Sequence, residues 1–228
     1  MTERGSYETL VVERRGAVGW LVFDRPDAGN AMDAQMFDEL ERAWTELDED
    51  PTVAAIVNTG RGRFFQTGVD VVQVAQDRDQ LREHSRRTRD FTMRFTSWQL
   101  GVRTPVIAAV NGLCAGGGLH FVADADLVVA SRDAEFVDPH VSVGQVTAFE
   151  GITLVRKMPA EAVFRMALLG RHERMSAARA CTLGMVGEVV EPDRLEARAQ
   201  ELGELLARRP AGLLQASKRA VWAALEQA

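Results

Sequence analysis

Three consecutive glycines followed by a histidine are the most unusual feature of the sequence. Gly116, Gly117 and Gly118 follow the apolar run 105–110 and lead into a predicted helix that carries His120. Glycine has no side chain, so the backbone N–H groups of such a run stay accessible to a ligand. Such amides can bind a phosphate, or they can form an oxyanion hole for charge that develops on a carbonyl oxygen. Close packing that tolerates only glycine is a third interpretation, and the spacing leaves all three open.

Two histidines have the chemistry to move protons near this glycine run. His120 lies three residues after Gly117, so on a helix the two residues share a face. His140 follows Asp138 and Pro139 in a predicted loop. Imidazole titrates near neutral pH, with a reference pKa of ~6.5, which suits general acid–base catalysis. A structural role is the alternative for each histidine.

Motifs for several other chemistries are missing from the sequence. The glycine run matches neither the dinucleotide-binding pattern nor the P-loop pattern. No histidine or cysteine spacing fits a metal site, so we predict no metal. The nucleophile elbow of α/β-hydrolases is also missing. His84 and His172 lie among charged residues and are predicted to be surface groups.

The composition limits the class of protein. The chain has 228 residues, of which 46% are hydrophobic, enough to bury a sizeable core. With 27 basic and 33 acidic residues, its net charge of −6 gives no general attraction to nucleic acid or to an anionic membrane. The two cysteines, Cys114 and Cys181, indicate a reducing compartment. Because no signal peptide or long apolar run is present, the sequence predicts a soluble, cytoplasmic protein.

Strands that alternate with helices predict an α/β core. The predicted strands are 9–13, 18–23, 53–57, 105–110, 127–130 and 186–190. An amphipathic helix carries apolar residues from Met32 to Leu47, with Asp33 or Asn30 as its cap. The other predicted helices are 79–100, 160–169, 176–183, 192–208 and 211–226.

Six short motifs extend over nearly the whole chain. They are Arg25-Pro26-x-x-x-Asn30-Ala31-Met32, Ala55-Ile56-Val57-x-Thr59-Gly60, Phe65-x-x-Gly68-Val69-Asp70, Pro105-Val106-Ile107-Ala108-Ala109-Val110-Asn111-Gly112-x-x-x-Gly116-Gly117-Gly118, Ala134-Glu135-Phe136-x-x-Pro139 and Ser176-Ala177-x-x-Ala180. In this order and spacing, the motifs resemble the enoyl-CoA hydratase/isomerase, or crotonase, superfamily.

The resemblance implies an α/β fold in which ββα units wind into a spiral core over 1–190. It also implies a helical C-terminal layer over 191–228 that supports a homotrimer or a homohexamer. The implied substrate is an acyl-CoA thioester, so coenzyme A is part of the substrate and no separate cofactor is expected.

The resemblance also implies roles for particular residues. The backbone N–H groups of Val69 and Gly117 would bind the thioester oxygen as an enolate forms, and losing one such donor typically costs ~3 kcal/mol. The other positions implied to bind substrate are Asp27, Gly29, Arg63, Thr67, Asp70, Val71, Gly116 and Pro139.

The sequence departs from the hydratase pattern at the two positions that carry catalytic glutamates in family hydratases. Those positions are His120 and His140 here, while Glu150, ten residues after His140, is either a further catalytic group or a solvated carboxylate. We therefore predict a hydratase/isomerase-type enzyme in which histidines move the protons. The alternatives are hydrolysis or carbon–carbon cleavage of an acyl-CoA, and a non-catalytic acyl-CoA-binding subunit.

Overall fold

The computed structural model of the chain describes residues 7–70, 94–147 and 149–226. The strands are β1 (Leu10–Arg15), β2 (Val18–Phe23), β3 (Ala55–Gly60), β4 (Phe64–Gln66), β5 (Val106–Val110), β6 (Leu113–Ala115), β7 (Leu127–Ser131), β8 (Glu135–Val137), β9 (Met175–Ser176) and β10 (Glu188–Val190). The helices are α1 (Ala34–Glu49), α2 (Leu119–Ala123), α3 (Phe149–Leu154), α4 (Ala160–Leu169), α5 (Ala177–Thr182), α6 (Leu195–Ala207) and α7 (Ala211–Glu226).

The described strands form two sheets that are built from successive pairs of strands. The larger sheet has the order β1-β2-β3-β5-β7-β10, and the smaller has the order β4-β6-β8-β9. The pairs β3–β4, β5–β6 and β7–β8 each give one strand to each sheet. In both sheets, the strand from each later pair lies next to the strand from the pair before it. Neighbouring strands of successive pairs run parallel. This arrangement is the α/β spiral that the resemblance implied.

Apolar residues in the sequence explain why strand β5 and helix α1 form. Every residue of β5 is buried, as expected for a strand covered on both faces. Helix α1 buries its apolar stripe, and Asp33 caps it by accepting a hydrogen bond from the amide of Met36 at 2.8 Å. The second candidate cap, Asn30, instead lies buried in the preceding loop, where its side-chain amide donates to the carbonyl oxygen of Phe64 at 2.8 Å.

The helices after Pro159 agree closely with the sequence prediction. Helix α6 packs on the larger sheet through Leu195 and Ala199, which belong to a buried cluster with residues of β2, β3, β5 and β7. Glycine is required at Gly203 of α6, because a Cβ there would lie only 2.6 Å from the side chain of Val18. None of the helices in the described part of the chain is long and apolar enough to cross a membrane.

The predicted helix 79–100 is wrong at its C-terminal end. Residues 94–100 form a turn, and residues 71–93 lie outside the described part. The side-chain oxygen of Gln99 accepts hydrogen bonds from the amides of Phe95 at 2.9 Å and Thr96 at 3.3 Å. Such side-chain acceptors compete with helical hydrogen bonds, which explains the turn.

Other boundaries also differ from the sequence prediction. The strand predicted at 53–57 begins at Ala55 and continues to Gly60. Strands β4, β6, β8 and β9 were not predicted, because segments of two or three residues show no measurable periodicity.

Candidate active site

Three parallel strands of the smaller sheet bring the predicted site together. Strand β6 pairs in parallel with β4 on one side and with β8 on the other. The segments that follow them carry Val69, the glycine run 116–118 and the loop 138–140. Because the carboxyl ends of parallel strands meet at one edge of a sheet, these segments become neighbours.

The backbone of Val69 is aimed by its pairing with Met32. The amide of Met32 donates to the carbonyl of Gly68 at 2.8 Å, and the amide of Asp70 donates to the carbonyl of Met32 at 2.8 Å. Backbone N–H groups alternate in direction along an extended chain, so the amide of Val69 points away from Met32. Gly68 has a φ of 93°, which a residue with a side chain adopts only with strain.

The amides of Val69 and Gly117 lie close together. The Cβ position of Gly117 is 3.9 Å from the nitrogen of Val69, and a Cβ on Gly68 would lie 3.1 Å from the nitrogen of Gly117. No hydrogen bond within the described residues uses the N–H group of Val69 or Gly117. The two backbone N–H groups are therefore neighbours at this edge of the smaller sheet.

The neighbouring Gly118 has a packing role. A Cβ on Gly118 would lie 2.2 Å from the carbonyl oxygen of Gln66, so no larger residue fits. The buried Gln66 side chain donates to the carbonyl of Asn30 at 3.0 Å and accepts from the amide of Gly68 at 2.5 Å. Gln66 thus fixes the loop before Val69, a role that no motif in the sequence indicated.

A second anchor fixes the residue after Val69. One guanidinium nitrogen of Arg25 lies 3.1 Å from the Asp70 carboxylate and 3.2 Å from that of Asp33. Since Asp33 caps α1, this arrangement ties the loop to the start of a long helix. Arg25 belongs to the first motif, but no site role was predicted for it from the sequence.

His140 is held by the carboxylate two residues before it. Its Nδ1 lies 2.6 Å from Oδ1 of the buried Asp138, and the same oxygen accepts from the His140 amide at 3.1 Å. Ring atom Cε1 of His140 is 3.5 Å from the Cβ position of Gly116. The imidazole therefore lies against the glycine run that carries the Gly117 amide.

His120 has different surroundings. Its ring is buried and meets the ring of Phe95 edge-on, with 5.4 Å between their centroids. Asp124 lies nearby and accepts from the hydroxyl of Thr96 at 2.6 Å. Burial raises the pKa of Asp124, while attraction to His120 partly opposes that change.

The remaining predicted residues line the same loops. Asp27 and Arg63 are exposed, and the guanidinium of Arg63 lies 4.5 Å from the centre of the Phe64 ring. Gly29 accepts from the Thr67 hydroxyl at 2.9 Å, and Pro139 Cδ lies 3.7 Å from the Cβ position of Gly116. Glu150 is in α3, but its side chain and the whole of Val71 lie outside the described residues.

A family model described as enoyl-CoA hydratase/isomerase matches residues 13–228. The chain belongs to the enoyl-CoA hydratase/isomerase family. A probable enoyl-CoA hydratase of Mycobacterium bovis is 34% identical over 224 residues, which cover 97% of this chain and 84% of that protein. A probable enoyl-CoA hydratase of Rhizobium meliloti is also 34% identical, with the same coverage of both chains.

Solved structures of the enoyl-CoA hydratase/isomerase family share the fold. The crystal structure of an enoyl-CoA hydratase/isomerase from Mycobacterium paratuberculosis is 36% identical, with a TM-score of 0.86. The match covers 97% of this chain and 84% of that one. Both the resemblance and the fold class predicted from the sequence are therefore confirmed.

Proposed function

We propose that the chain is an acyl-CoA enzyme of the hydratase/isomerase type. In this proposal, the amides of Val69 and Gly117 hold the thioester oxygen, and His140 moves a proton. The observation that carries the proposal is the closeness of these two amides, with neither used in a hydrogen bond of the described residues. Donors fixed by the backbone need no rearrangement when negative charge develops, so they stabilise an enolate more than the starting thioester.

The proton chemistry follows from the enolate. For hydration of an α,β-enoyl thioester, a base takes one proton from water as the oxygen attacks the β-carbon. The electrons of the double bond move to the thioester oxygen, and an acid then delivers a proton to the α-carbon. For isomerisation, one group removes a γ-proton and the same or a second group returns a proton to the α-carbon. Imidazole performs either step, as base when neutral and as acid when protonated.

We propose His140 as the first of these groups because it lies against the glycine run. His120 is the second predicted group, and the sequence expectation for Glu150 stands beside them. The other predicted substrate-binding residues keep their proposed roles, with exposed Arg63 suited to a coenzyme A phosphate. The two free cysteines support the proposed cytoplasmic location, because free thiols suit a reducing compartment.

Acyl-CoA thioesters should raise the melting temperature, because a ligand that binds only the folded state stabilises it. At 100 times Kd, the gain is about 2.7 kcal/mol, which corresponds to about 5 to 10 °C for a chain of this size. Scanning calorimetry with acetyl-CoA, crotonyl-CoA and longer acyl-CoAs measures the shift. Free coenzyme A is the matched control, since it lacks the thioester oxygen.

Loss of the enoyl-thioester absorbance reports turnover in the same samples. Unchanged melting with every thioester would overturn the proposal. Stabilisation without turnover of any acyl-CoA would instead identify a non-catalytic acyl-CoA-binding protein. Release of free thiol together with loss of the enoyl-thioester band would identify hydrolysis, because hydration removes the band without releasing a thiol.

An exposed apolar patch supports the proposed homo-oligomer. Phe164 and Leu168 lie four residues apart on α4 and are 61% and 69% exposed. Helix α4 packs beside the single-turn helix His140–Val143, where Val141 and Val143 are 45% and 68% exposed. We propose that a second copy of the chain covers this patch, because contiguous exposed apolar surface of this kind marks interaction sites.

Charge in the patch should dissociate the assembly. The double substitution Phe164→Glu and Leu168→Glu is expected to lower the mass measured by light scattering after size-exclusion chromatography. Leu213→Glu changes a comparably exposed position in α7. It tests the prediction that segment 191–228 takes part in oligomerisation. A wild-type monomer, or a double variant with the mass of the wild-type oligomer, would contradict the proposed patch.

A further inference from the structure

We propose that Asp138 is a positioning residue that holds His140 in one tautomer. In this tautomer the proton is on Nδ1, and Nε2 carries the lone pair that the proposed function uses to accept a proton. The inference rests on the proposed function for its chemistry, since His140 is the group proposed there to move a proton. Nothing in the sequence motifs assigns a role to Asp138.

The Asp138 carboxylate uses both of its oxygens in defined contacts. Oδ1 lies 2.6 Å from Nδ1 of His140 and accepts from the His140 amide at 3.1 Å. Oδ2 accepts from the hydroxyl of Thr147 at 2.7 Å. The side chain of Asp138 is 3% exposed and that of His140 is 21% exposed. The carboxylate is therefore buried, while the imidazole is partly accessible to solvent.

These contacts determine which nitrogen carries the proton. An ionised carboxylate has no hydrogen to donate, so a 2.6 Å contact with it requires a proton on Nδ1. In neutral imidazole the other nitrogen then carries the lone pair. Because Nδ1 is held by Asp138, we assign the proton exchange of the proposed function to Nε2.

The backbone around the pair limits its movement. Strand β8 is paired with β6 and ends at Val137. Asp138 directly follows this paired strand, so the position of its backbone is restricted. Pro139 follows, and proline both restricts its own φ and limits the conformation of the residue before it. The His140 ring also lies close to the glycine run, since a Cβ on Gly116 would be 3.5 Å from Cε1 of the ring. The imidazole is thus oriented before a substrate binds.

Asp138 also acts on the charged form of His140. When Nε2 takes a proton, the ring becomes a cation, and the carboxylate beside Nδ1 stabilises that cation. The same division of work between a buried aspartate and a histidine base occurs in serine proteases, where the aspartate sets the tautomer and stays ionised.

Nitrogen NMR of the ¹⁵N-labelled full chain tests the tautomer without any substrate. The wild-type His140 is expected to show a protonated Nδ1 and an unprotonated Nε2 at a pH where the ring is neutral. His140→Gln assigns the signals. Asp138→Ala is expected to lose this single tautomer, because the acceptor of the Nδ1 proton is gone. Asp138→Asn keeps an oxygen that can accept both His140 donors, so it should retain the tautomer while losing the charge.

Kinetics on a thioester that the enzyme turns over test the catalytic consequence. Asp138→Ala should lower kcat by about 100-fold with little change in KM, because the base is misoriented while the binding contacts remain. Asp138→Asn should fall between the wild type and Asp138→Ala. Thr147→Val, which removes only the contact to Oδ2, should cause a smaller decrease than Asp138→Ala.

Asp48→Asn is the matched control. Asp48 accepts hydrogen bonds from the amides of Arg103 at 3.0 Å and Thr104 at 2.8 Å, so it also holds a loop, and it lies outside the proposed site. This variant should keep the His140 nitrogen signals and the wild-type kcat.

Two results would overturn the inference. One is a wild-type His140 with its proton on Nε2. The other is an Asp138→Ala protein that keeps the wild-type nitrogen signals and kcat. If Asp138→Ala does not fold, the wild-type spectrum decides the tautomer, and Asp138→Asn with Thr147→Val decides the effect on kcat. Inactivity toward every acyl-CoA would refute the proposed function and, with it, the catalytic consequence, while the spectrum still decides the tautomer.

Discussion

Gly117→Pro is expected to lower kcat by about 100- to 1,000-fold, the usual effect of removing one oxyanion-hole donor. Proline has no backbone N–H, so the substitution removes the donor that lies beside the amide of Val69. Affinity for the coenzyme A portion should remain, because the lost hydrogen bond strengthens mainly as the enolate forms. Steady-state kinetics and calorimetric titration with free coenzyme A measure the two effects separately.

Gly117→Ala is the matched control for this prediction. Alanine keeps the N–H group and adds a Cβ at 3.2 Å from Cε of Met32, a flexible side-chain end that can move. The alanine variant should therefore keep far more activity than the proline variant. Circular dichroism must show that both variants fold. A folded Gly117→Pro enzyme with wild-type kcat would refute the oxyanion role of this residue.

His140→Gln is expected to lower kcat by about 100- to 10,000-fold, the contribution of a positioned acid–base group. Glutamine retains hydrogen-bonding capacity and similar bulk but cannot exchange a proton near neutral pH. The effect should fall on kcat more than on KM, because substrate contacts remain while the proton transfer is lost. Kinetics on the thioester identified by calorimetry provide the measurement.

Two further variants sharpen this result. His172→Gln alters an exposed histidine outside the site and should leave kcat unchanged. His120→Gln should have a smaller effect than His140→Gln, since the His120 ring is buried beside Phe95, whereas the His140 ring is more exposed and lies close to Gly116. If both His120→Gln and His140→Gln retain near-wild-type kcat, histidine proton transfer is refuted and Glu150 becomes the residue to test.

Periodicity within the sequence determined the elements that are long enough to show it. Helix α1, with its cap Asp33, and helix α4 follow from local spacing, because each buries a stripe of its own apolar residues. Helix α7 has the predicted bounds, although none of its residues is buried. The buried strand β5 follows from its continuous apolar run. Motif order identified the family and the α/β spiral, which the comparisons confirmed. The glycine run and the two histidines were also visible, because unusual residue types need no partner to be noticed.

Only the tertiary structure decided which residues meet. Strands β4, β6 and β8 are too short to be predicted, yet their parallel pairing brings Val69, Gly117 and His140 to one edge. The contacts that orient these groups come from Gln66, Arg25 and Asp138, whose residue types are common and whose partners are fixed by packing. Local sequence specifies each segment's own conformation. The register between segments distant in sequence depends on how their side chains pack together, so it is decided only when the chain is folded.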